Sequence, residues 1–310
     1  MIHPVGEKNA TAQLTTNLYK TADGASLPLH HWLPKADTKA ALVALHGFND
    51  YGMFFDQPGK YLSSQGIACF SYDQRGFGGA PKRGLWAGVS AYIDDLRGIV
   101  HLLKLRYPHQ PIYLLGESMG GAVIITALSQ MSMPEVDGVI LVAPALWARQ
   151  TMPWYQTTLL WTLAHTFPWL TLTGKGVRVQ ASDNIEMLRA LGRDPMVIKK
   201  TRVETIYGLT NLMDAAFGSA SQLRGNTLIL YGENDEIIPK KPTYDFLQRF
   251  LNSDGDKKTV ALYQQGYHML LRDLNASVIW KDIASWMGRG AVKLPSGADL
   301  RASELLKPLS

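Results

Sequence analysis

Cysteine is almost absent from this chain. Among 310 residues there is one, Cys69, so no internal disulfide can form. Its setting, Ile67-Ala68-Cys69-Phe70, reads as a buried strand in which a thiol packs rather than reacts. The lack of a disulfide framework suits a cytoplasmic protein. Long apolar runs are also missing, and no stretch is uninterrupted over the length needed to span a bilayer. The nearest candidate, Trp154 to Leu172, is broken by His165 and Pro168 and reads as a lid. Met1 to Thr16 has no apolar core of signal-peptide length. Charge is sparse, with 18% Asp, Glu, Lys and Arg and a formal net charge of +5. The cations fall in scattered pairs such as Lys199-Lys200, Lys240-Lys241 and Lys257-Lys258, with no basic run interleaved with aromatics. Nucleic acid is therefore not an expected partner, while a mild attraction to an anionic surface stays open. Repeats and low-complexity segments are absent too.

What is present is core. The chain is 46% hydrophobic, enough for a large globular enzyme built as one elaborated domain or a domain with an insertion. A hairpin is expected from Leu14 to Lys20, a turn at Ala22-Asp23-Gly24, and Leu27 to Leu33. Apolar strand candidates then recur at Ala41–His46, Ile67–Tyr72, Ile112–Leu115, Gly138–Val142, Thr227–Tyr231 and Thr259–Tyr263. In Tyr92 to Arg106, the residues Ile93, Leu96, Ile99, Val100 and Leu103 fall on one helical stripe. This alternation predicts an α/β fold, a mostly parallel sheet with helices on both faces. The pattern breaks between Leu146 and Gln222, which reads as an inserted helical cap. Residues 14–145 and 223–287 form the expected core, and 288–310 a polar C-terminal tail, mobile or draped on the surface.

The most informative segment is Gly116-Glu117-Ser118-Met119-Gly120, a G-x-S-x-G pattern between an apolar strand and a helix-like run. That context makes it a nucleophile elbow, with Ser118 on a turn sharp enough to need small neighbours. An acyl-transfer serine needs a base, and the base needs an orienting acid, both on loops after later strands. Of eight histidines, only His268 follows the cap, just past the final strand candidate. The acid must come from Glu233, Asp235 or Glu236, which follow Thr227–Tyr231. Glu233 leaves the strand too early to reach back, Asp235 is favoured, and Glu236 is the runner-up. An oxyanion hole needs two N–H donors aimed at the developing charge. Met119 supplies one, and Phe48, after the strand that ends in His46-Gly47, supplies the other. His46 is read as a structural residue of that loop.

Taken together, these residues resemble the α/β-hydrolase superfamily, and within it the monoacylglycerol lipase and lysophospholipase branch. The matching segments are His46-Gly47, Tyr72-Asp73-Gln74-Arg75-Gly76-Phe77-Gly78, Gly116 to Gly121, Gly232 to Pro239 and Gly266-Tyr267-His268, with Arg193-Asp194-Pro195-Met196 in the cap. The likeness spans Leu14 to Met287. The spacing G-x-x-D-x-x-x-P from Gly232 to Pro239 is usual in such enzymes and implies Asp235 as the acid. Two positions depart from the branch: Glu117 stands where histidine is frequent, and Phe48 where a small residue is common. Asp73 and Arg75 are expected to bond backbone groups in a structural turn.

The resemblance implies a serine hydrolase of carboxylic esters with Ser118, His268 and Asp235 as its triad and no metal or organic cofactor. The Trp-rich cap suggests a single-chain ester, a monoacylglycerol or lysophospholipid. An acyltransferase, thioesterase, carbon–carbon hydrolase or perhydrolase would use the same triad, and a small-molecule receptor could retain it. Trp147, Trp154, Trp161 and Trp169 are expected mainly to pack the inserted helices. The segment Trp154–Leu163 is apolar nearly all round, so it is either buried or meets a membrane or partner, with burial favoured. The expected location is cytoplasmic, with peripheral membrane contact through the cap left open, as is the oligomeric state.

Overall fold

The structure, a computed structural model, describes residues 11–130, 133–174, 179–223, 225–254, 257–289 and 293–306. The strands β1 (Gln13–Leu14), β2 (Leu18–Lys20) and β3 (Ser26–Trp32) run antiparallel at one sheet edge. Then come β4 (Ala40–Leu45), β5 (Ile67–Tyr72), β6 (Ile112–Glu117) and β7 (Gly138–Val142). The short β8 (Thr171–Leu172) and β9 (Thr201–Arg202) pair only with each other. Finally β10 (Thr227–Gly232) and β11 (Lys258–Tyr263) complete a nine-stranded sheet in the order β1-β2-β3-β5-β4-β6-β7-β10-β11. From β5 to β11 every neighbour is parallel.

Every residue of β4 to β7 and of β10 is buried. Strands covered on both faces carry no alternation, and their sequences accordingly read as continuous apolar runs. Alternate β4 residues still serve different layers. Ala41, Val43 and Leu45 join one core, Ala40, Leu42 and Ala44 the other. The helix α1 (Asp56–Ser64) adds Leu62 to the second core, while α2 (Val89–Arg106) and α3 (Met119–Leu128) face the first. The stripe on α2 is buried at Ile93, Leu96, Ile99, Val100 and Leu103, each worth roughly 1.5–3 kcal/mol of burial.

Between β7 and β10 lie α4 (Trp154–Thr166), α5 (Ile185–Arg193) and α6 (Val203–Gly218). Only α6 sends side chains into the main core, among them Leu212, Met213 and Phe217. No residue of α4 is buried, so the expectation of a packed helix fails. The tryptophans differ from expectation as well. Trp154, Trp161 and Trp169 are 77%, 55% and 61% exposed, and of the four only Trp147 packs against the core. The physical reason is that α4 is apolar all round, whereas its main packing partner among the described helices is α6 alone.

After β10, α7 (Lys240–Asn252) and α8 (Ala276–Arg289) cover opposite faces. The C-terminal segment is more structured than its polar composition predicts. Helix α9 (Ala298–Leu305) packs along β11, burying Ala298 and Ala302, with Leu294 and Leu306 buried at its flanks. Spacing explains the miss: few apolar residues suffice when each falls on the same side of a two-turn helix. Met1 to Ala10, Gly290 and Pro308 lie outside the described residues.

Candidate active site

Four loops converge at the carboxyl ends of the parallel strands, the edge where open α/β sheets hold their ligands. Ser118 stands directly after β6, at φ 53° and ψ −113°, a conformation that is strained for a residue with a side chain. The turn closes because β6 and α3 almost touch. A Cβ on Gly116 would lie 2.5 Å from the Gly120 carbonyl, and one on Gly120 would lie 2.3 Å from Leu45 O. Ser118 N donates to Val142 O at 3.0 Å, and its carbonyl accepts from Ala122 and Ala145 N–H, which fixes the elbow from both sides.

His268 follows β11. Its Nδ1–H donates to Asp235 Oδ2 at 2.8 Å, and both side chains are buried. Asp235 Oδ1 accepts from Ile237 N at 2.8 Å and Ile238 N at 2.9 Å, so each carboxylate oxygen has its own task. The loops meet because Gly232 and Gly266 lie back to back, and a Cβ on Gly232 would fall 2.4 Å from the Gly266 carbonyl carbon. Burial alone disfavours the charged imidazole. The charge of Asp235 and its hydrogen bond outweigh this, Glu117 adds to them and Arg272 opposes, leaving His268 more basic than an ordinary histidine. The other two acids that follow β10 face elsewhere. Glu233 pairs with Arg301 and Lys240, and Glu236 Oε2 accepts from the Gln180 N–H at 2.7 Å.

The loop after β4 brings Gly47 against the elbow, where a Cβ would stand 3.3 Å from Ser118 Cβ. Among the described residues, neither the Phe48 nor the Met119 N–H donates to another protein group. His46 is held as a neutral structural residue. Burial lowers its basicity, Nδ1–H donates to Gly47 O at 2.8 Å, and Nε2 accepts from Gln74 N at 2.9 Å. No hydrogen bond joins the Ser118 hydroxyl to His268 among the described residues, a looseness common in catalytic pairs without substrate.

Sequence reasoning missed a buried ionic cluster beside this site. Arg272 Nη2 pairs with Glu117 Oε1 at 2.8 Å and with Asp50 Oδ2 at 2.7 Å. The cluster joins the elbow, the Gly47–Phe48 loop and the His268 loop. One signal was available: a carboxylate inside an apolar elbow needs a cation, and Arg272 follows the candidate base by four residues. The reading of Arg75 also needs correction. Its guanidinium binds the carboxylates of Asp23 and Asp95 rather than backbone groups. Asp73 does bind backbone, accepting from Gly52 N and Gly79 N at 2.8 Å each, and His30 as well.

The inserted segment is tied to the same loops. Met269 N donates to Ala181 O, Asn184 Nδ2 to Arg272 O, Tyr51 OH to Asp194 Oδ2 and Ile198 N to Asn49 O, at 2.8–3.0 Å. Among the described residues, no group of three or more potential metal ligands occurs, and no helix is long and apolar enough to cross a membrane.

Comparison with known proteins places this chain in a family. The rat monoglyceride lipase is 25% identical over 272 residues, covering 86% of this chain and 88% of that protein. The caffeoylshikimate esterase of Arabidopsis thaliana is 24% identical over 310 residues, covering 94% and 89%. The solved structure of a soluble variant of the Saccharomyces cerevisiae monoglyceride lipase with a substrate analogue superposes with a TM-score of 0.74 at 19% identity. It covers 93% of this chain and 96% of that one. A family model, Hydrolase_4, described as serine aminopeptidase, S33, matches residues 36–275. The chain belongs to that family of serine hydrolases and has its α/β-hydrolase fold.

Proposed function

We propose that this protein hydrolyses carboxylic esters of single-chain lipids, monoacylglycerols and lysophospholipids being the substrate class, through an acyl-enzyme. Ser118 Oγ bonds to the ester carbonyl carbon as its proton passes to His268 Nε2. The carbonyl π pair moves to oxygen, where the Phe48 and Met119 N–H groups receive it. Asp235 holds the imidazole with Nε2 free and stabilises the imidazolium. His268 then protonates the leaving alcohol, the acyl-enzyme forms, and water deprotonated by the same imidazole releases the acid. Residues 146–222 act as a cap over a core made of 14–145 and 223–287.

The observation that carries the lipid reading is α4, an apolar helix whose residues are all at least partly exposed. Exposed aromatic and aliphatic surface on that scale marks a site for lipid or a partner. The monoglyceride lipases among its relatives support a monoacylglycerol substrate, and the relative named caffeoylshikimate esterase supports a wider range of esters. A panel of p-nitrophenyl esters and monoacylglycerols of graded acyl length tests the proposal, with Ser118→Ala as blank. The expected result is a kcat/KM that rises with chain length and increases further once the substrate forms aggregates. Preference for short soluble esters, with no response to aggregates, would refute the lipid assignment. Transfer of the acyl group to a competing alcohol in preference to water would refute hydrolysis.

A further inference from the structure

Glu117 is a costly residue for its position. It is buried between Gly116 and the strained Ser118, and its Oε2 has no hydrogen-bond partner. Oε1 accepts from Arg272 at 2.8 Å and lies 3.9 Å from where a Gly47 Cβ would be. The carboxylate therefore sits where the elbow, the Gly47–Phe48 loop and the His268 loop meet. Arg272 must also serve Asp50, so two buried carboxylates share one guanidinium. A balanced pair would remain if Glu117 were neutral. Burial, and then Asp50, work against the Glu117 charge, while Arg272 and a protonated His268 favour it, and its carboxyl stays above the usual range.

We infer that Glu117 is a positioning residue for the base, a second buried negative charge that supports the His268 imidazolium alongside Asp235 and is kept at the expense of stability. The inference rests on the Ser118–His268–Asp235 reading above. The charged groups around His268 are Asp235 from the loop after β10, Glu117 from the end of β6 and Arg272 from its own loop. Asp50, from the loop after β4, acts through Arg272. Glu117 takes no proton in the reaction. When the Ser118 proton moves to Nε2, the new positive charge has the Asp235 carboxylate bonded to its ring and the Glu117 carboxylate tied to its own loop through Arg272. Arg272 holds Glu117 on the base's own loop, so the charge stays in register with the imidazole.

The test uses the full chain and a soluble p-nitrophenyl ester. Glu117→Gln leaves Arg272 paired with Asp50, so it is expected to fold with a Tm no lower than wild type. The ascending limb of kcat/KM against pH should move down by roughly one pH unit, because a nearby negative charge no longer favours the protonated base. On the plateau kcat should fall roughly tenfold with KM little changed. Glu117→Asp, which keeps the charge, should keep the limb near its wild-type pH. Asp50→Asn removes the same formal charge one group further from the base and should move the limb less. A folded Glu117→Gln with an unmoved limb, or equal displacement by Glu117→Gln and Asp50→Asn, would overturn the inference. Ser118→Ala and His268→Ala in the same assay separate the two readings. If either remains active, the triad reading has failed. If both are inactive and the limb stays fixed, only the role of Glu117 has failed.

Discussion

Three carboxylates follow β10, and each has a different partner. Asp235 faces His268, Glu233 faces Arg301 and Lys240, and Glu236 accepts from the Gln180 amide. The proposed acid can thus be tested against its neighbours. Asp235→Asn is expected to lower kcat/KM by about a thousandfold or more, because the imidazole loses both its orientation and its counter-charge. Glu236→Gln should stay within a few-fold of wild type, since its amide oxygen can still accept from Gln180. Ser118→Ala and His268→Ala should each remove most activity, and a fluorophosphonate should label wild type at Ser118 alone. The reverse order for Asp235 and Glu236 would reassign the acid. His268 also sets a pH dependence. Its folded basicity is raised, so the ascending limb of kcat/KM should lie above pH 6.5, the ordinary value for histidine. The sign for stability is opposite. A group made more basic by folding stabilises fully below its unfolded pKa, and that contribution fades as pH rises through the folded value. Measuring Tm of wild type and His268→Ala across this window checks it.

At the scale of elements, the inserted segment has two unlike parts. Residues around 180–206 are bonded to the loops that carry Phe48 and His268, whereas α4 touches α6 and presents Trp154, Tyr155, Leu159 and Trp161 outward. Under the proposed function the bonded part holds the site loops and the exposed part meets a lipid aggregate. Replacing Trp154 and Trp161 together by serine should weaken liposome flotation by roughly tenfold, since each ring buries a large apolar area on insertion. Turnover of a short soluble ester should change less than twofold, because neither ring supports a catalytic loop. Equal flotation of the double variant and wild type would remove the helix from any role at a membrane.

For the whole molecule, the open edge of the sheet is the structural hazard. The sheet ends at β11, and an uncovered edge strand offers unpaired backbone groups to another chain. Helix α9 packs along that strand and draws on both cores, with Ala298 in one and Ala302 in the other. Ending the chain after Gly288 should cost about 3 kcal/mol of apolar burial, a Tm fall of roughly 5–10 °C. It should also raise the tendency to self-associate, while kcat on a soluble ester persists at temperatures where the core stays folded. Light scattering during a thermal scan reads both effects. An unchanged Tm would show that α9 contributes no stability.

The strands were legible because buried parallel strands must be apolar throughout, and the limits of β5 and β7 match the sequence reading at both ends. The elbow was legible because Gly116 and Gly120 are required by a turn that leaves no room for a Cβ. His268 was legible by position alone, as the one histidine after the cap. What the sequence could not determine was burial in the inserted segment between β7 and β10. Composition shows that α4 is apolar, but only the arrangement of its neighbours decides whether it is covered, and here it is not. The docking of α9 depended on a few alanines and leucines sharing one side against β11, which a short polar-looking segment does not reveal. The Glu117–Arg272–Asp50 cluster joins residues from three distant parts of the sequence, in which Glu117 and Arg272 stand 155 positions apart. At such separations the sequence signals only that a carboxylate in an apolar elbow needs a cation, and does not say which one. The ion pairs exist because the sheet brings the ends of β4 and β6 together with the loop after β11, so tertiary structure alone gave the elbow's carboxylate its partner.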